Sequence, residues 1–130
     1  MPSLVGTWKL VRATARDGNG AKLPEPYGGK GIGRVTFTAD GRMQSVVCDG
    51  RRELPPGEAR DYSSYCGNYT FDGTRLVTRV DAASDPTRIG SDQVRGVRLE
   101  GEFVVLSPPP RRAGSREEYR ELTWQKISDE

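Results

Sequence analysis

The 130-residue sequence contains no histidine. That absence excludes a Ser-His or Cys-His catalytic pair and the commonest zinc ligand within one chain. Only two cysteines are present, Cys48 and Cys66, with no Cys-x-x-Cys spacing, so no metal site and no metal cofactor is expected. A basic-apolar-small secretory start is lacking, which predicts a cytoplasmic location and reduced thiols. A disulfide between Cys48 and Cys66 requires strand ends that bring their Cα atoms within about 7 Å. No apolar run is long enough to span a bilayer, so no membrane partner is expected. Charge of one sign is lacking too. The 20 Lys and Arg are spread along the chain and offset by 18 Asp and Glu, leaving +2 and no basic stripe for nucleic acid. Apolar residues make up 34% and mean hydropathy is −0.68, which leaves little material beyond one core.

What the chain has is turn chemistry. Sixteen glycines and nine prolines punctuate short alternating segments, the pattern of an all-β protein, and the length suits one domain over residues 1–130. The first strand is Leu4-Val5-Gly6-Thr7-Trp8-Lys9-Leu10-Val11. Alternation puts Gly6, Trp8, Leu10 and Arg12 on one face. The small Gly6 leaves room that Trp8 fills, an arrangement suited to plugging the end of a small barrel. Arg12, at the strand end, is expected to reach water. Met1 to Leu4 reads as a lead-in across the barrel base.

A turn-rich connection follows, through Asp17-Gly18-Asn19-Gly20 and Pro24-Glu25-Pro26-Tyr27-Gly28-Gly29. No helix pattern and no Gly-Lys-Ser/Thr accompanies its glycines, so it reads as a loop and not a phosphate cradle. Gly33 to Thr38 and Arg42 to Cys48 form a hairpin around Ala39-Asp40-Gly41, with Val35, Phe37, Met43, Ser45 and Val47 inward. Pro56 to Tyr65 is the one helical candidate, with proline and acids near its start. Strands over 67–71 and 75–81 turn at Asp72-Gly73, with Gly67, Tyr69, Phe71, Leu76, Thr78 and Val80 inward. Asp92 to Glu100 carries Gln93, Arg95, Val97 and Leu99 on one face and turns into Phe103 to Ser107. Pro108 to Arg112 reads as a stiff exposed loop. Glu117 to Lys126 closes the chain with Leu122 and Trp124 inward. Eight hairpin-linked strands predict a closed or nearly closed antiparallel up-and-down barrel with one short helix and room for one small ligand.

The ordered set of segments resembles the bacterial and fungal lipocalin-like domain proteins, within the lipocalin-type (calycin) barrels. The residues that carry the likeness are Leu4 to Val11, Phe37-Thr38-Ala39-Asp40-Gly41-Arg42-Met43, Tyr65-Cys66-Gly67-Asn68-Tyr69, the set Gly90, Gln93 and Arg95, Leu99-Glu100-Gly101-Glu102, and Leu122-Thr123-Trp124. The resemblance spans nearly the whole chain. It implies an up-and-down barrel with an internal pocket for a small, largely apolar molecule. Two positions depart from the family's pattern. Thr78 stands where members often carry histidine, and Lys126 stands where members tend to carry arginine. Lysine can still lie on an indole face, although it makes a poorer fork.

Candidate ligand-binding residues follow from strand parity. Arg95 faces the interior, where an unpaired charge is costly, so it needs a partner. That partner is either an anionic group on a ligand, such as a carboxylate or enolate, or an internal acid or phenol. Tyr69 offers a hydroxyl to a ligand carbonyl, or else packs as a core ring bonded to a backbone acceptor. Gln93 and Thr78 add polar groups to the same interior. Phe37, Met43, Phe71 and Trp124 supply the apolar wall. No catalytic residue is assigned, since no nucleophile–base pair is recognisable.

These residues favour a non-catalytic binder of a small organic molecule, which needs only a dry pocket with one or two polar anchors. The alternative is an isomerase or cyclase of a polyketide- or terpenoid-like substrate, folding it into a reactive conformer with Arg95 and Tyr69 at a developing oxyanion. A module that pairs with a partner protein through a sheet edge is disfavoured by closure. The oligomeric state is left open, a homodimer included.

Overall fold

Alternation of buried and exposed side chains builds the staves. In β2 (Gly31–Phe37) Gly33, Val35 and Phe37 are buried, and in β3 (Arg42–Asp49) Met43, Ser45, Val47 and Asp49 are. The computed structural model describes residues 3–113 and 116–129. The other strands are β1 (Gly6–Asp17), β4 (Tyr62–Phe71), β5 (Arg75–Ala83), β6 (Asp92–Glu100), β7 (Phe103–Ser107), β8 (Arg111–Ala113) and β9 (Arg116–Ser128). From β1 to β7 each strand pairs antiparallel with the next. β7 then pairs with β9, and β9 returns to β1, so eight staves close the ring. The three-residue β8 pairs with β9 outside the ring.

Antiparallel closure gives the barrel two unlike ends. At one end lie the tight turns β2–β3, β4–β5 and β6–β7, with the start of β1 and the finish of β9. Gly41 and Gly73 take φ of +97° and +105° in those turns, a region that side chains with a Cβ resist. Asp72 Oδ1 accepts from the Thr74 and Arg75 backbone N–H groups and fixes the second turn. Leu4, Trp8, Phe37, Leu76 and Val104 belong to the buried core cluster. Each fully buried side chain of this size contributes roughly 1.5–3 kcal/mol. Trp8 Nε1 donates to Leu4 O at 2.9 Å, and Lys126 Nζ lies 5.2 Å from the Trp8 ring centroid. The lysine therefore does lie on the indole. Of the expected lead-in, Met1 and Pro2 fall outside the described residues.

The opposite end carries the long connections. Trp8 and Trp124 are both buried, at 6% and 2% exposure. Cys48 is opposite Tyr62 while Cys66 is opposite Gln44, so the two thiols sit at opposite stretches of the β3–β4 ladder and both are free.

Several local expectations are corrected. Pro56 to Tyr65 is not a helix: residues 55–61 are an exposed loop, and Tyr62 begins β4. The loop has no apolar face to bury, and a short isolated helix is not stable without one, whereas residues 62–68 gain a continuous ladder against β3. Among the described residues helical geometry is confined to single 3₁₀ turns at Tyr27–Gly29 and Pro86–Arg88. β1 runs to Asp17, well past Val11. A bulge between Leu10 and Arg12 turns Val11 and Arg12 both outward and brings Ala13 and Ala15 inside. Leu99, placed inward by parity, is 47% exposed because it sits near the end of β6. Arg111 and Arg112 belong to strand β8 and not to a loop.

Candidate ligand-binding site

The long-loop end opens into a cavity of about 350 Å³. Its inner part is mostly apolar, formed by Val35, Met43, Val47, Leu106, Leu122 and Trp124 from β2, β3, β7 and β9, with Ser45 of β3 adding a polar side chain among them. Its mouth is polar and cationic, with Tyr27, Asp61, Tyr65 and the four arginines Arg88, Arg95, Arg111 and Arg120. Strand parity explains the change along β9, where Arg120, Leu122 and Trp124 share the inward face and pass from mouth to interior.

The four guanidiniums are not equivalent. Arg120 Nε and Arg111 Nε lie 2.6 and 2.8 Å from the same Glu118 oxygen. Burial works to raise the Glu118 carboxyl, but the hydrogen bond and charge of Arg120, with help from Arg111, outweigh it and hold the group below its ordinary value. Arg88 and Arg95 have no carboxylate partner among the described residues. Arg88 Cζ lies 5.8 Å and Arg95 Cζ 6.0 Å from the centroid of the Tyr65 ring. A ring face attracts a cation without neutralising it. Arg95 also donates to Val94 O at 2.9 Å and to Gln93 Oε1 at 3.3 Å, and Arg88 to Ser63 Oγ at 3.4 Å. Gln93 in turn donates to Ser91 Oγ at 3.2 Å, so it orients Arg95 from the side.

Tyr27 sits over this cluster with φ of +58°, a left-handed conformation costly for an aromatic residue. Burial pushes its phenol above the ordinary value, against the pull of Arg120, with Asp61 adding to the rise and Arg88 and Arg95 opposing it. At neutral pH the hydroxyl is therefore a neutral donor surrounded by cations.

Of the eight residues expected from parity, Arg95, Met43 and Trp124 line this cavity. Gln93 stands beside it as a support. Phe37, Tyr69 and Phe71 pack into or against the core, Phe37 and Tyr69 edge to face at 5.0 Å. The Tyr69 hydroxyl donates to Thr38 O at 2.8 Å in the tight-turn end, so it is satisfied there. Thr78 is 1% exposed, and its Oγ1 has no partner among the described residues. Strand alternation alone missed Tyr27 and Arg88, which come from connections. Tyr65 was hidden by the helix expected there. Arg120 was within reach of the sequence, since it shares parity with Leu122 and Trp124.

A closed antiparallel barrel, plugged by aromatic packing at one end and hollow at the other, is the architecture of proteins that hold a small molecule in their interior. The family model for a lipocalin-like domain matches residues 5–59 and 55–127, and the chain belongs to that family. No curated protein and no solved structure matches the chain. Among the described residues no helix is long and apolar enough to cross a membrane.

Proposed function

We propose that the barrel binds a small, largely apolar organic molecule bearing an anionic or carbonyl group. The head group meets Arg88 and Arg95, with the Tyr27 hydroxyl as an additional donor, and the apolar body runs down to Met43, Leu106, Leu122 and Trp124. One observation carries this reading: two guanidiniums without a carboxylate partner among the described residues, held on one tyrosine ring at the mouth of a cavity with a mostly apolar interior. A cation left without a counterion in a partly dry site is a ready anchor for an anion. The test is titration with a fluorescent apolar carboxylic acid and its neutral amide. The acid is expected to bind markedly more tightly. Equal affinity for both, or none for either, would remove the anion anchor.

A second reading is an isomerase or cyclase using the same cavity for a polyketide- or terpenoid-like substrate. The half-buried Tyr27 phenol supports it, because a neutral donor among cations can stabilise a developing oxyanion. Native mass spectrometry of the purified protein, with any co-purified molecule identified before and after incubation, separates a bound ligand from a converted one.

A further inference from the structure

Among the described residues of the inner lining, Ser45 alone carries a hydroxyl. It faces inward between Met43 and Val47 on β3 and is 8% exposed. Its Oγ makes no hydrogen bond among the described residues. Thr78 Oγ1 and Trp124 Nε1 share that lack, but both are sealed within the wall. Ser45 Oγ is not sealed, so a molecule in the cavity can reach it. Across the ladders, the residues opposite Ser45 are Val35 on β2 and Tyr65 on β4. Valine offers no polar atom, and the Tyr65 ring is the one that holds Arg88 and Arg95.

We propose that the ligand is a hydroxylated apolar acid, whose hydroxyl sits on the half of the molecule nearer its anionic group and exchanges a hydrogen bond with Ser45 Oγ. This rests on the reading of the cavity as an anion-anchored binding site. A serine hydroxyl both donates and accepts, so it matches a ligand hydroxyl in either direction. Residues directly opposite on one face of a ladder have Cβ atoms about 4.5–5.5 Å apart. Ser45 is therefore a neighbour of the ring that carries both guanidiniums, and the ligand atoms that pass it are those close to the anionic group. An unsubstituted chain laid over Ser45 would strip its hydroxyl of water and return no hydrogen bond, which is costly for a buried polar group. Ser45 thus selects against plain acids as well as for hydroxylated ones.

The experiment titrates dodecanoic acid, the hydroxydodecanoic acids with the hydroxyl at successive carbons from the second to the sixth, and 12-hydroxydodecanoic acid into the intact protein. At least one of the near positions is expected to bind more tightly than dodecanoic acid, by about twofold to tenfold for one neutral hydrogen bond. The 12-hydroxy acid should bind no better than dodecanoic acid, because its hydroxyl enters the apolar depth. This series needs only wild-type protein and does not depend on any variant folding. In Ser45→Ala the preference should vanish. The favoured hydroxy acid loses affinity and dodecanoic acid gains, since alanine removes the hydroxyl that a plain chain leaves unpaired. Binding of dodecanoic acid that depends on Arg95, with no gain at any near position, overturns this inference alone. An equal gain for the 12-hydroxy acid, or a gain that persists in Ser45→Ala, also overturns it. Failure of every acid to bind removes the anion anchor and this inference together.

Discussion

Asp49 and Arg51 form a closed fork where β3 leaves the barrel. Arg51 Nε lies 3.1 Å from both carboxylate oxygens, and its Nη2 lies 2.7 Å from Oδ2. Asp49 is 2% exposed, whereas Arg51 also reaches Glu58 at 3.1 Å. The Arg51 guanidinium lies against Gly28, where any added Cβ would collide with it. The fork thus joins the β3–β4 loop to the turn that carries Tyr27 over the cavity.

This pair predicts a specific acid dependence. The side-chain hydrogen bond from Arg51, then its backbone N–H, lowers the Asp49 carboxyl from 3.8 to about 2. The folded value lies below the unfolded one, so the contribution is complete above the unfolded value and is lost as pH falls through about 2. Asp49→Asn should be less stable than wild type at neutral pH. The difference should shrink over that acidic interval when followed by urea unfolding at a series of pH values. A difference that stays constant down to pH 2 would mean that the carboxylate's charge is not what matters.

Arg95→Ala is expected to weaken binding of an apolar carboxylic acid by roughly 1.5–3 kcal/mol, about tenfold to more than a hundredfold. Arg95→Lys should recover only part of this, because an ammonium lacks the planar fork. Arg88→Ala should weaken the same acid, and the double variant should lose less than the sum, since both guanidiniums share the Tyr65 ring. Calorimetric titration with parallel thermal melts provides the check. An early-melting Arg95→Ala protein that binds normally would remove Arg95 from the site.

Thr78→Val should leave the protein as stable as wild type or raise its stability by about 1 kcal/mol. The hydroxyl is buried without a partner among the described residues, and valine keeps its shape. Acid binding should not change, because Thr78 does not line the cavity. Loss of stability on urea titration would reveal a hydrogen bond at this position.

Gly67→Ala should lower stability by about 1–3 kcal/mol or more. A Cβ at Gly67 would run into the Arg79 carbonyl across the β4–β5 ladder, which is backbone and cannot swing aside. Gly96→Ala is the control: its nearest neighbour is 3.9 Å away on Ser107, so its effect should stay within about 0.5 kcal/mol. Equal urea midpoints for the two variants would contradict the close approach.

The β2–β3 hairpin shows how far alternation could be read. Val35, Phe37, Met43 and Val47 are inward as their spacing requires, because a two-residue period admits only two faces and one of them is the core. β1 shows where it stopped. The bulge after Leu10 inserts a residue and reverses the parity of everything beyond it, and no local signal in Val11-Arg12-Ala13 marks the position. The 55–65 segment failed for a related reason: its proline and acids satisfy helix-start chemistry, but the competing ladder with β3 depends on a strand that is distant in sequence.

The sequence by itself determined an all-β chain of eight staves, the inward sets of β2, β3 and β5, and Arg95, Met43 and Trp124 as groups that face the cavity. Those features depend on local periodicity and on turn residues at fixed spacing. Trp8 near the start of the first strand already suited a plug; tertiary structure decided that the opposite end is the hollow one. It therefore also separated Tyr69 and Phe37, which pack at the plugged end, from the residues of the cavity. It brought Tyr27 and Arg88 from two connections onto the same mouth as Arg95, and it matched Arg111 and Arg120 with Glu118 while leaving Arg88 and Arg95 on Tyr65. These are distances between segments remote in sequence. Ring closure and loop packing set them, and no periodicity within a single strand encodes them.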